Sequence, residues 1–146
     1  MSDTEEQTKA GQKLGFLIDV KKRTAGPVHF GGATPQENLQ TYYRLLDCET
    51  IDIQEGYLEG RAFDFIVDDE GLLKADPKPS AFMKTDNGPK YCFVGNLLVC
   101  RSNPEEGTEE SLTDEDFKLI YKHLANIGNS AKPDEPTYRA LVDLEF

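Results

Sequence analysis

The stretch Tyr91 to Arg101 (YCFVGNLLVCR) constrains this chain more than any other, because it is apolar at both parities. Cys92, Val94, Leu98 and Cys100 fall on one, and Tyr91, Phe93, Leu97 and Val99 on the other. Such a strand has to be covered on both faces, which places it in the middle of a sheet inside a layered structure. Gly95-Asn96 interrupts it and reads as a bulge, or as a spot where a ligand or partner backbone approaches the sheet.

The flanking sequence supplies the layers. Gly15 to Lys22 is apolar and β-prone, with a basic patch of Lys21, Lys22 and Arg23 at its end. Thr24 to Pro27 reads as a turn, and Val28 to Phe30 as a short partner strand. Thr34-Pro35-Gln36-Glu37 is a capping box with Pro in the first turn, followed by Leu39, Tyr42, Tyr43, Leu45 and Leu46 at helical spacing. A helix over 35–46 is expected. Thr50 to Glu55 alternates, with Ile51 and Ile53 facing the core, and Arg61 to Asp68 is a further strand, joined through Gly56 to Gly60. Asp68-Asp69-Glu70-Gly71 reads as a tight turn with Gly71 at positive φ, after which Leu72 and Leu73 return to the core. Ala75 to Lys90 is an irregular excursion, with Ala81-Phe82-Met83 as its apolar anchor. Thr113 caps a second helix whose face is Phe117, Ile120, Tyr121 and Leu124. The fold expected is α+β: one mixed or antiparallel sheet of about five strands with two helices on one face.

With 146 residues the chain suits one domain. Residues 1–13 hold too few apolar groups to offset ordering entropy and read as a disordered leader, 14–125 as the domain, and 126–146 as a linker and a terminal strand. That strand completes its own sheet, the reading favoured here, or pairs with another chain's edge as a homodimer contact. The leader shows no signal-peptide run and no stretch is long enough for a membrane span, so the cytosol is the expected location. Cys48, Cys92 and Cys100 form no CxxC pair and sit in apolar surroundings.

The formal charge is −11, from 27 acidic and 16 basic side chains. Such a surface repels phosphate backbones, which argues against direct nucleic-acid binding and for solubility or a partner with a basic groove. Asn103 to Asp116 carries seven acidic residues and no basic one. Within it, Glu105, Glu106, Glu109, Glu110 and Asp114 form a candidate partner-binding surface able to imitate a row of phosphates and occupy the groove of a nucleic-acid-binding protein. The plainer explanation is a solvated loop with a helix charge bias.

Catalytic and metal motifs are absent from the sequence, and no cofactor is implied. Asp64, Asp68 and Asp69 are the carboxylates a metal-dependent enzyme would need. Adjacent Asp68 and Asp69 point to opposite faces of a strand, so a solvated turn is the simpler reading. His29 and His123 lack partners at ligand spacing and are expected on the surface or rim. Gly31, Gly32 and Thr34 precede a helix, where backbone amides can hold an anion, and Lys21, Lys22 and Arg23 could add counter-charge for a nucleotide.

The order of these pieces carries a resemblance. A helix ending LLDCETIDI, a strand closing FIVDDEGLL, then VGNLLVC and SLTDEDFKLI resemble a small domain of phages and mobile elements of Gram-positive bacteria, domain of unknown function 3846. The resemblance covers roughly residues 16–125, closest over Ile66 to Leu73 and Val94 to Cys100, which makes Asp68, Asp69, Glu70, Gly71, Gly95 and Asn96 its motif residues. The family name carries no activity and implies a habitat. Many accessory proteins of that habitat bind a host component, so the leading expectation is a non-enzymatic inhibitor or counter-defence protein acting on a host macromolecule. The alternative is a binder or sponge for a nucleotide signal, and a metal-dependent enzyme comes third.

Overall fold

The computed structural model describes residues 11–74, 77–88, 90–103, 105–106, 108–128 and 131–146. Among these, ten strands form two sheets rather than one. The larger contains β1 (Lys13–Asp19), β2 (Thr24–Phe30), β3 (Ile51–Leu58), β4 (Arg61–Asp68) and β7 (Leu97–Asn103), in the order β2-β1-β7-β4-β3, with β8 (Thr108–Glu110) paired to β7. Its neighbours are all antiparallel. The smaller sheet has the order β6-β5-β10-β9, from β5 (Pro79–Met83), β6 (Lys90–Val94), β9 (Leu124–Ile127) and β10 (Tyr138–Leu144). There β10 runs parallel to β5 and antiparallel to β9. The chain is mixed α+β, predominantly sheet.

The doubly apolar stretch explains the split. Leu97, Leu98, Val99 and Cys100 are fully buried, as expected of a central strand, but Gly95-Asn96 is a corner rather than a bulge. Gly95 at φ 85° turns the chain from β6 in the smaller sheet to β7 in the larger. Leu97 and Val99 then face one core, with Phe16, Ile18, Phe63 and Phe65 from the larger sheet and Ala81, Phe93, Leu141 and Leu144 from the smaller. Leu98 and Cys100 face a second core with Phe30, Ile66, Tyr42 and Leu46.

Helix α1 (Pro35–Leu46) has the predicted bounds, and its capping box is formed: Thr34 Oγ1 accepts from the Glu37 amide at 3.1 Å and Glu37 accepts from the Thr34 amide at 3.2 Å. It buries Tyr42 and Leu46 in the second core. Helix α2 (Asp114–Lys122) places Ile120 in the first core. The expectation of both helices on one face of a single sheet is therefore corrected: each helix belongs to a different core.

Other expectations shift by a few residues. The leader read over 1–13 lies outside the described residues as far as residue 10, and Lys13 already begins β1. Thr24 starts a strand and does not turn; the turn is 20–23, with Arg23 at φ 58°. Tyr57-Leu58 continues β3, and the connection is a two-residue hairpin loop in which Glu59 and Gly60 both have positive φ. Gly71 is not at positive φ; a side chain there would meet the Val94 carbonyl at 2.7 Å. Ile53 and Leu73 face outward, and Leu124 belongs to β9 rather than to the helix. The linker read from Asn126 onward contains the end of β9, and Asp143 at φ 64° breaks the alternation of β10, burying Ala140, Leu141 and Leu144. Both edges of β10 are paired within the chain, so the homodimer contact through that strand has no free edge to use.

Candidate functional site

The Gly95-Asn96 corner ties down three segments at once. The Asn96 side chain is buried; its Oδ1 accepts from the Val20 amide at 3.1 Å and its Nδ2 donates to the Leu45 carbonyl at 3.3 Å. The Gly95 amide donates to the Lys78 carbonyl at 2.9 Å. Asp68 orders the turn after β4, its Oδ1 accepting from the Glu70 amide at 2.8 Å and its Oδ2 facing Lys74 Nζ at 3.0 Å, and Lys74 joins that turn to the end of α1 through the Asp47 carbonyl. These contacts bring together the β1–β2 turn, the C-terminal end of α1, the turn after β4 and the segment entering β5.

The result is a cleft of about 270 Å³ into which four cationic residues converge: Lys21, Arg23, Lys74 and Lys78. Asp47 and Asp68 line it as well. Each cation has a carboxylate partner. Lys21 pairs with Asp47, Lys74 with Asp68, and Arg23 and Lys78 share Glu135 at 3.3 and 3.1 Å. Lys74 also donates to the Asp47 carbonyl at 2.9 Å. The hydrogen bond and charge of Lys21 hold the Asp47 carboxyl below the usual range, and the bond to Asp68 raises Lys74. Ion pairs as open as Lys21–Asp47 contribute little to stability, so an incoming anion can exchange with the carboxylate.

The chain belongs to the family described as Domain of unknown function (DUF3846). Its model matches residues 16–125. No curated protein and no solved structure matches the chain.

Within the DUF3846 span, the six motif residues play unequal parts. Asp68, Gly71, Gly95 and Asn96 build the cleft, while Asp69 and Glu70 are exposed on its outer side. The predicted anion site is divided. Lys21 and Arg23 lie at the cleft, but Gly31, Gly32 and Thr34 lie at the other end of the β1–β2 hairpin, where Lys13 pairs with Phe30. Seven strand residues separate the ends, about 20 Å. The amides there are also engaged: Asn38 Oδ1 accepts from Gly32 at 2.6 Å and Glu37 Oε2 from Ala33 at 2.7 Å. Lys22 is exposed and does not line the cleft. The cations Lys74 and Lys78 and the carboxylate Glu135 went unnoticed in the sequence because they approach only through the corner.

The acidic stretch of this DUF3846 chain is not one row. Glu109 Oε1 accepts from the Tyr42 hydroxyl at 2.9 Å, and Glu110 accepts from Thr108 at 2.7 Å and faces Lys13 at 3.8 Å. Asp116 is fully buried, faces Arg61 Nε at 2.6 Å and accepts from the Thr113 amide at 2.8 Å. Glu105, Glu106 and Asp114 remain exposed.

Asp64 is buried and is raised by that burial and by Glu109. It sits four residues along β4 from Asp68, about 13 Å away. Among the described residues no three His, Cys, Asp or Glu side chains gather as metal ligands. His123 is buried, which corrects its expected rim position: Nδ1 lies 3.0 Å from the Val142 carbonyl and Nε2 2.7 Å from Glu59. His29 is partly buried on β2. Burial pushes the Cys48 and Cys92 thiols up to about 11 and Cys100 well above its ordinary value, so none is a ready nucleophile. Among the described residues no helix is long and apolar enough to cross a membrane.

Proposed function

We propose that this chain is a non-catalytic binding protein whose cleft takes a small phosphate-bearing molecule. The observation that carries the reading is the convergence of Lys21, Arg23, Lys74 and Lys78 on one cavity in a chain of net charge −11. A molecule so acidic repels anions over most of its surface, and a cationic pocket is the place where one is tolerated. The volume, about 270 Å³, lies just under the usual range for ligand sites and fits a ligand no larger than a mononucleotide. This keeps the nucleotide-binder reading but moves it from the start of α1 to the sheet-to-sheet corner. In the phage or mobile-element setting that the family resemblance implies, sequestering such a signal would serve counter-defence.

The test is a thermal-shift series with inorganic phosphate, pyrophosphate and adenosine mono-, di- and cyclic monophosphates. A ligand at a hundredfold excess over its Kd stabilises by about 2.7 kcal/mol, a rise of several degrees. The rise is lost in Lys74→Ala and Arg23→Ala and kept in Lys22→Ala. A flat series across all of these probes would remove the proposal.

A host protein held by the acidic stretch ranks second. Of its candidate residues Glu105, Glu106 and Asp114 are exposed, while Glu109 and Glu110 are engaged within the chain.

A further inference from the structure

Strand β3 is an outer strand of the larger sheet, and its outward hydrogen-bonding side is only partly used. Tyr57 exchanges both backbone bonds with Glu145, at 2.7 and 2.9 Å. Ile51, Ile53 and Glu55 share the parity of Tyr57, so their amides and carbonyls point the same way. Among the described residues no backbone group pairs with them on that side. The short pairing to Glu145 thus leaves an open edge running on from it.

The two faces of that edge differ. Ile53 is 41 % exposed on one, beside the partly buried Ile51. Asp52 and Gln54 lie on the other, in a groove of about 370 Å³ between β3 and β6. Asp69 and Glu70 complete its acidic rim, and Tyr91 and Leu73, 49 % and 81 % exposed, add apolar surface. Among the described residues Asp52, Asp69 and Glu70 form no salt bridge, whereas neighbouring Asp68 is held by Lys74. The groove is anionic and open, beside an unpaired backbone.

We propose that this edge and groove dock an extended segment of a partner protein in which basic and apolar residues alternate, added as a further strand beside β3. Side chains of an added strand alternate in step with those of β3, so one set meets Ile51 and Ile53 and the other meets Asp52 and the acidic rim. Lys or Arg on the groove side gains three carboxylates and the face of Tyr91. A second copy of this chain is a poor occupant, because strands paired through the same edge keep side-chain parity, so its own Asp52 and Gln54 would fall on the groove side and bring no positive charge to the acidic rim. The groove adjoins the cationic cleft, with Asp68 and Gly71 lining both, but its acidic rim and strand edge use none of the four cations, so the two readings stand or fall independently.

A fluorescein-labelled peptide of about eight residues, alternating Lys and Val, tests the proposal by fluorescence anisotropy. Binding is expected, at least about tenfold weaker to the Asp52→Asn, Asp69→Asn, Glu70→Gln triple variant, together with slowed hydrogen exchange at the Ile53 and Glu55 amides. The same peptide N-methylated at alternate residues on its pairing edge, assayed on the unaltered protein, is expected not to bind; this arm does not depend on the variant's folding. No binding, equal binding of an alternating Glu and Val peptide, equal binding by the triple variant, or equal binding of the methylated peptide would each overturn it.

Discussion

Asp64 is a carboxylate with almost no water around it. It lies on β4 facing the second core, near Cys100 and Glu109. Burial and the Glu109 charge lift its pKa above the ordinary 3.8, so the folded protein binds that proton more readily than the unfolded chain. The ionised form therefore costs stability above the raised value, and the cost fades as pH falls from there to 3.8. Asp64→Asn should be more stable than the parent near pH 7, with the advantage shrinking towards about pH 4, as followed by urea denaturation. An advantage that grows on acidification would contradict this account. At this scale the sequence was legible where chemistry is local: Thr34 and Glu37 satisfy one another within three residues. Gly71 was legible only as a glycine, because the Val94 carbonyl that excludes a side chain there is distant in sequence.

Among the elements, α1 was readable to the residue because its cap, its Pro and its apolar spacing all lie within one segment. The corner between β6 and β7 was not. A Gly-Asn pair inside an apolar run has the same local sequence whether it makes a bulge or sends the chain into a second sheet. What decides is the reach of Asn96 to Val20 and Leu45, and nothing in the run itself reports it. Asn96→Ala should lose both bonds, leave a buried amide unpaired and cost about 2–3 kcal/mol. Asn96→Asp keeps an acceptor for Val20 and should fall between. Thermal melts rank the three proteins, and an alanine variant as stable as the parent would show that packing alone holds the corner. The cationic cleft was half legible for the same reason: Lys21 and Arg23 stood out as a local cluster, while Lys74 and Lys78 arrive from across the corner.

For the whole molecule, the decisive fact is that two sheets share one core. Alternation in the sequence could give strands but not their partition, because a strand's pattern is the same whichever sheet it joins. The terminal strand illustrates this. It lies outside the family match, yet it is central in the smaller sheet and buries Ala140, Leu141 and Leu144 between the layers. Leu144→Ala should cost about 3 kcal/mol, and removing residues 137–146 should abolish the cooperative thermal transition. Circular dichroism melts check both, and a truncated chain that still unfolded sharply would show the first core to be complete without β10. The position of β10 also sets a timetable. A ribosome delivers every strand of the larger sheet, and β5, β6 and β9 as well, before β10 is made. Until it arrives β5 has a bare edge in the nascent chain, and the smaller sheet can close only after synthesis has passed its central strand.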